Sequence, residues 1–211
     1  MMSDIQFYTN PQSRGGIVHW MLEELGEPYE TNWMDYGEKM KSPEYLAINP
    51  MGKVPTVVHK GTVVTECAAI ISYLAASYPE KSLMPAPGSE QLANFYRWLH
   101  FASGPLELLM TVKGFEWQVP PEREMSIGYG KAEDVIAALE IALSKSEYIC
   151  GDEFMAADVQ VGSTLHWAMM FGALEKRPRF EEYVANLMQR PAAIRSQQLN
   201  EERSKQQEAA K

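Results

Sequence analysis

One break in hydrophobic period governs what this chain can fold into. It falls between Pro79 and Ser89, a turn-rich stretch with three prolines and a glycine, which is the composition of a linker. Upstream, apolar runs of strand length alternate with helical spacing. Ile5-Gln6-Phe7-Tyr8 predicts a strand closed by Asn10-Pro11. From Ser13 to Leu25, Ile17, Met21, Leu22 and Leu25 recur at helical spacing, with His19, Glu23 and Glu24 on the other face. Gly26 sits where a C-terminal cap is expected. A second strand is predicted over Tyr29 to Trp33 and a short helix over Pro43 to Ile48. A hairpin follows over Val54 to His59 and Thr62 to Val64, turning at Lys60-Gly61, and then a helix over Glu66 to Ser77.

The order β-α-β-α-β-β-α implies a mixed sheet covered by helices. Beyond Ser89 only helical spacing appears, over Glu90 to Lys113, Arg123 to Ser144, Ala156 to Phe171 and Arg179 to Gln189. The chain is expected to be helical or frayed from Ala192, with a polar, mobile end over 200–211. The expected class is α+β: a first domain over 1–80, a linker over 81–89 and an all-helical domain over 90–211.

Composition narrows the partners. A net charge of -9 argues against nucleic acid, which calls for a basic face. No run approaches the roughly 20 apolar residues of a membrane span. The start Met1-Met2-Ser3-Asp4-Ile5 shows no basic segment followed by an apolar one, so no secretory signal is expected. Two cysteines, Cys67 and Cys150, form no disulfide framework and suit a reducing cytoplasm. His19, His59, His100 and His166 show no metal-ligand spacing.

Three segments carry chemistry. In Asn49-Pro50-Met51-Gly52-Lys53-Val54-Pro55 a proline stands at the start of a strand, where it cannot donate to the ladder. A cis Val54–Pro55 bond would leave the Val54 amide and carbonyl open to an extended peptide ligand; a plain structural turn accounts for the same residues. In Thr65-Glu66-Cys67-Ala68-Ala69-Ile70 a strand ends and a helix begins. Helix-start N–H groups bind a carboxylate while Glu66 accepts from an ammonium, or Glu66 only complements the helix dipole. In Tyr8-Thr9-Asn10-Pro11-Gln12-Ser13-Arg14, hydroxyls, a cation and a helix start would favour a bound thiolate. Alternatively Ser13 is a helix cap and Arg14 a surface cation.

Taken in order, these motifs, together with Trp20-Met21-Leu22-Glu23-Glu24-Leu25-Gly26, resemble the glutathione-binding half of the cytosolic glutathione transferases. Cys150 to Val159 is similar to the buried folding motif of that family's helical half, and Tyr183 to Ala193 to its closing helix. The resemblance covers about residues 5 to 195. It implies a thioredoxin-like N-terminal domain, an all-α helical-bundle domain, a homodimer, and detoxifying attack of the glutathione thiol on a small hydrophobic electrophile. It also implies that Val54 pairs with the cysteinyl backbone across a cis Pro55, that Glu66 and Cys67 hold the γ-glutamyl end, and that Lys53 reaches the glycyl carboxylate. Glutathione-dependent peroxide or disulfide reduction, and a non-catalytic partner-binding role, are the alternatives.

The activating group is Ser13 or Tyr8. Tyr8 falls where the tyrosine classes carry theirs, with Arg14 where an assisting arginine stands, whereas the turn resembles the bacterial serine type. No cysteine precedes Cys67, so the cysteine mechanism is not expected. Cys67 stands where many members carry Ser, and a thiol is a poorer donor. Met155 stands where the folding motif has a Ser or Thr cap, a loss of roughly 0.5–2 kcal/mol unless Asp158 compensates. Trp98, Phe101, Met110 and Trp117 are either core or the lining of a second-substrate pocket.

Overall fold

A computed structural model describes residues 3–209. Met1 and Met2, with which the leader reading began, and Ala210 and Lys211, the last residues of the expected tail, lie outside them. The strands are β1 (Ile5–Thr9), β2 (Tyr29–Trp33), β3 (Thr56–His59) and β4 (Thr62–Thr65). The helices are α1 (Gly15–Leu25), α2 (Pro43–Leu46), α3 (Cys67–Ser77), α4 (Gln91–Phe101), α5 (Glu107–Gly114), α6 (Ala132–Leu143), α7 (Ala156–Met170), α8 (Pro178–Met188) and α9 (Pro191–Ala209). Contacts divide the chain into one unit of residues 1–81 with 190–211 and another of residues 82–189.

The first unit is a four-stranded sheet in the order β2-β1-β3-β4. β1 and β2 run parallel, joined by α1, while β3 pairs antiparallel to both β1 and β4. Strand alternation sends Ile5, Phe7 and Thr9 to a buried face, where the Phe7 ring lies 5.4 Å from the His19 ring of α1. Tyr8 points to the other face, with its ring 5.6 Å from that of Tyr45 on α2. The predicted local signals hold. Gly26 is left-handed at φ 68° and its N–H returns to the Leu22 carbonyl. Lys60 and Gly61, at φ 49° and 82°, make the left-handed pair that a two-residue hairpin needs.

The C-terminal stretch takes the helical alternative. Residues up to Ala209 form helix α9, and contacts group it with the first unit. Few of its side chains are buried, chiefly Ala193 and Ser196; polar contacts to α1 supply the rest. Arg190 grips Glu24 with two bonds of 2.6 and 2.8 Å, and Asn200 Oδ1 lies 3.1 Å from His19 Nδ1.

In the second unit the predicted helix over Glu90 to Lys113 is continuous but not uniform. A π-helical turn over Ala102–Leu106 separates α4 from α5 around Pro105, which lacks the N–H that a regular α-turn would use. The predicted helix over Arg123 to Ser144 also divides: a 3₁₀ turn over Pro121–Ser126, then α6 after Gly128 and Gly130. The fully buried Asp158 carboxylate accepts from the Ile149 N–H (2.8 Å), the Met155 N–H (2.9 Å) and the Tyr183 hydroxyl (2.8 Å). Asp158 thus ties the start of α7 to the preceding loop and to α8 through its carboxylate, while Met155 itself provides no side-chain cap. The linker divides too: Lys81 pairs with Glu27 at 2.7 Å in the first unit, while the Leu83 carbonyl accepts from Ala156 at 2.8 Å in the second.

Candidate active site

Register brings three chain segments to one end of the sheet. Tyr8 pairs with Thr56, and Thr56 with Thr65. The end of β1, the start of β3 and the end of β4 are therefore neighbours, and the α1 turn, the Val54–Pro55 step and the start of α3 all lie there.

The β1–α1 turn is held by its own polar groups. Asn10, 3% exposed, donates to the Met34 carbonyl at 2.8 Å and accepts from the Gln12 N–H at 2.9 Å. Ser13 Oγ donates to the Asn10 carbonyl at 2.7 Å and accepts from the Gly15 N–H at 3.0 Å. Gly15 has a steric reason: a Cβ there would lie 1.9 Å from Thr9 Oγ1 and 2.9 Å from Ser13 Oγ. Nothing in the sequence announces the Thr9–Gly15 contact, because it links a strand end to a helix start.

A second network fixes the Val54 loop. Asn49 Nδ2 donates to the Lys53 carbonyl at 2.8 Å and to Thr56 Oγ1 at 3.1 Å. The Tyr45 hydroxyl donates to the same carbonyl at 2.5 Å. Burial raises the Tyr45 pKa, which keeps that hydroxyl a donor. The Val54–Pro55 bond is cis, and the β3 ladder begins only at Thr56. Among the described residues the Val54 N–H and C=O have no hydrogen-bond partner, although Val54 packs beside the Met34, Met40 and Tyr45 cluster. Lys53 is exposed and Pro55 buried.

At the start of α3, Glu66 is exposed and held at φ 70°, ψ 126°, with no side-chain cap bond. A non-glycine residue in that region costs of order 1–3 kcal/mol and points to a functional constraint. Cys67 Sγ lies 3.5 Å from the Arg14 carbonyl as its donor. Ser13, Arg14 and Cys67 thus share the α1–α3 side of the sheet end. Tyr8 does not join them. It faces α2 and borders a separate cleft of about 460 Å³ with Trp33, Lys39 and Tyr45.

Residues 16–77 match the family model described as glutathione S-transferase, N-terminal domain. The glutathione S-transferase GstA of Escherichia coli O157:H7 is 29% identical over 191 residues, spanning 89% of this chain and 92% of that protein. A glutathione transferase from Methylococcus capsulatus shares the fold with a TM-score of 0.77 at 28% identity, covering 93% of this chain and 98% of that one. The chain is thus similar to glutathione transferases over most of its length. A sphingomonad glutathione S-transferase solved in complex with glutathione gives a TM-score of 0.75 at 26% identity, over 92% of this chain and 98% of that one.

In the helical unit the pocket candidates divide. Trp98 and Met110 are buried core, whereas Trp117 is 58% exposed and stacked on Phe115 at 5.3 Å. Burial pushes the Cys150 thiol up to about 12, with Asp158 adding to the shift, so Cys150 is an inert thiol. Among the described residues no group of three or more His, Cys, Asp or Glu is arranged to hold a metal, and no helix is long and apolar enough to cross a membrane.

Proposed function

We propose that this chain is a glutathione S-transferase that binds glutathione at the sheet end and ionises its thiol for attack on an electrophile. The observation that carries the reading is the unpartnered Val54 main chain, set just ahead of the ladder and beside two helix starts. An extended tripeptide adds there as a further strand, its cysteinyl N–H and C=O meeting the Val54 carbonyl and amide. Glu66 and the α3 start with Cys67 take the γ-glutamyl ammonium and carboxylate, and Lys53 takes the glycyl carboxylate. The Asn49–Tyr45–Thr56 network holds Val54 in place, so these three are positioning residues.

Ser13 is the activating hydroxyl in this reading. Its present donation to the Asn10 carbonyl is exchanged for the sulfur when ligand arrives, while Arg14 and the α1 dipole add positive potential. Tyr8 is the alternative activator, but its orientation toward α2 favours Ser13. The protein works as a homodimer in the cytoplasm, where its two free cysteines stay reduced. The test is calorimetric binding of glutathione combined with the ultraviolet absorbance of bound thiolate. Wild type is expected to show both, and Ser13→Ala to bind glutathione without the thiolate signal. A wild type that gives no heat with millimolar glutathione contradicts the reading.

A further inference from the structure

The helical unit carries a small cleft of its own, about 190 Å³, lined by α4, the second half of α6 and the loop that follows. Its apolar wall is buried: Trp98 and Ile149 are each 2% exposed, and Ala138 and Ala142 of α6 extend it. The loop wall is fixed by its own bonds. Tyr148 and Gly151 exchange main-chain bonds of 2.9 and 3.2 Å, and Ser146 Oγ donates to the Tyr148 carbonyl at 2.9 Å. A cavity of about 150 Å³ accommodates a benzene ring, so this one has room for a single ring and one small substituent.

The charge of the lining is positive by its own members. Arg97 and Lys145 belong to it and no Asp or Glu does. Both cations are exposed, and neither makes a hydrogen bond or ion pair among the described residues. The Arg97 guanidinium lies over the Trp98 ring at 4.6 Å from its centroid, so cation and aromatic wall adjoin. Asn94, three residues before Arg97, shares its face of α4 and also leaves its side-chain amide unbonded among the described residues. Lys145 follows the end of α6, where a cation commonly answers the helix dipole. Arg179 already fills that role, donating to the Leu143 and Ser146 carbonyls at 2.7 and 2.8 Å. The neutral Cys150 thiol brings no charge to the cleft. Asp158 acts on that thiol but is fully buried, accepts three hydrogen bonds and is not part of the lining. Arginine's planar fork matches a carboxylate, and an apolar wall beside it matches a ring.

We infer that this cleft is a binding site for a small aromatic carboxylate, its ring against Trp98 and Ile149 and its carboxylate on Arg97 and Lys145. The site lies wholly within the helical unit, and the inference does not depend on the proposed glutathione site.

Proton–nitrogen NMR titrations of the full chain with benzoate and with neutral benzamide test it. The proteins are wild type, Arg97→Gln, Lys145→Gln and Lys113→Gln, the last removing an exposed cation of α5 outside the cleft. Wild type is expected to show saturable benzoate shifts at the amides of residues 145–151, with benzoate bound at least about tenfold more tightly than benzamide, the scale of one charge-assisted contact. Arg97→Gln should erase most of that preference, Lys145→Gln should reduce it about threefold, and Lys113→Gln should leave it unchanged. Benzamide binding should be the same in all four. Ala138→Leu, which fills the cleft, should abolish binding of both probes. No saturable shift at residues 145–151 with millimolar benzoate overturns the inference. So does equal affinity for the two probes in wild type, which would make the cleft merely apolar. A loss in Lys113→Gln as large as that in Arg97→Gln overturns it too, because the effect would then belong to overall charge.

Discussion

Two polar constellations in this molecule are built from similar groups and do opposite things. Around Asp158 every oxygen and donor has found a partner: the carboxylate takes two main-chain N–H groups and a tyrosine hydroxyl, all out of water. At the sheet end the scaffold is just as tightly bonded through Asn10, Asn49 and Tyr45, yet the groups it presents are left open. Val54 has an unpartnered main chain and Glu66 an exposed carboxylate on a strained backbone. A closed network holds a fold together, whereas one closed behind and open in front makes a binding site.

The largest effect should come from opening the closed network. Asp158→Ala strands two buried N–H groups and the Tyr183 hydroxyl, at about 3–5 kcal/mol. Tyr183→Phe, which removes one partner only, is expected to cost about 1–2 kcal/mol; urea unfolding measures both. Should Asp158→Ala cost no more than Tyr183→Phe, the closed network is not what orders that end of α7.

At the open site the effect should move from stability to rate. Ser13→Ala is expected to lower kcat/KM about 100-fold, ~2.7 kcal/mol of transition-state stabilisation. Its unfolding free energy should change by only about 0.5–1.5 kcal/mol, the worth of one hydrogen bond. Equal losses in rate and stability would make Ser13 a turn lock and nothing more.

Gly15→Ala probes the packing between the two layers of the site. The added methyl meets Thr9 Oγ1 at 1.9 Å and should cost about 1–3 kcal/mol. Thr9→Ala in the same chain should restore part of that loss, as thermal unfolding would show.

The smallest effect concerns pH. Burial holds the His19 pKa below its ordinary 6.5, with Asn200 and Glu23 opposing and Arg195 reinforcing. The folded state then binds fewer protons than the unfolded one. Stability is therefore full above pH 6.5 and declines as pH falls toward the lowered folded value. His59 and His166 shift the same way, so His19→Gln should flatten only part of the slope in unfolding measured from pH 7.5 to pH 5.

What the sequence made legible was local. The Lys60-Gly61 turn, the Gly26 cap and the strands at Ile5 and Tyr29 each declare themselves within a few residues, and the cis-proline loop and the α3 start are contiguous motifs. What it hid depends on how separate segments meet. The Asn49–Tyr45–Thr56 network draws on three elements, and the Thr9–Gly15 contact depends on how a strand end meets a helix. α9 docks through Glu24–Arg190 and His19–Asn200, pairs more than 160 positions apart, and its polar surface carries no apolar stripe to announce a partner. The missing cap at Met155 is legible in the sequence, whereas the bonds that Ile149 and Tyr183 make to Asp158 come from outside α7 and are not.

The central claim is that the Val54 main chain is the docking edge for glutathione. Amide hydrogen exchange at Val54, followed by NMR with and without saturating glutathione, tests it most directly. Exchange should slow at least tenfold on binding, while the Met155 amide, already bonded to Asp158, should not change. Saturable glutathione binding that leaves exchange at Val54 as fast as in the free protein would contradict the claim.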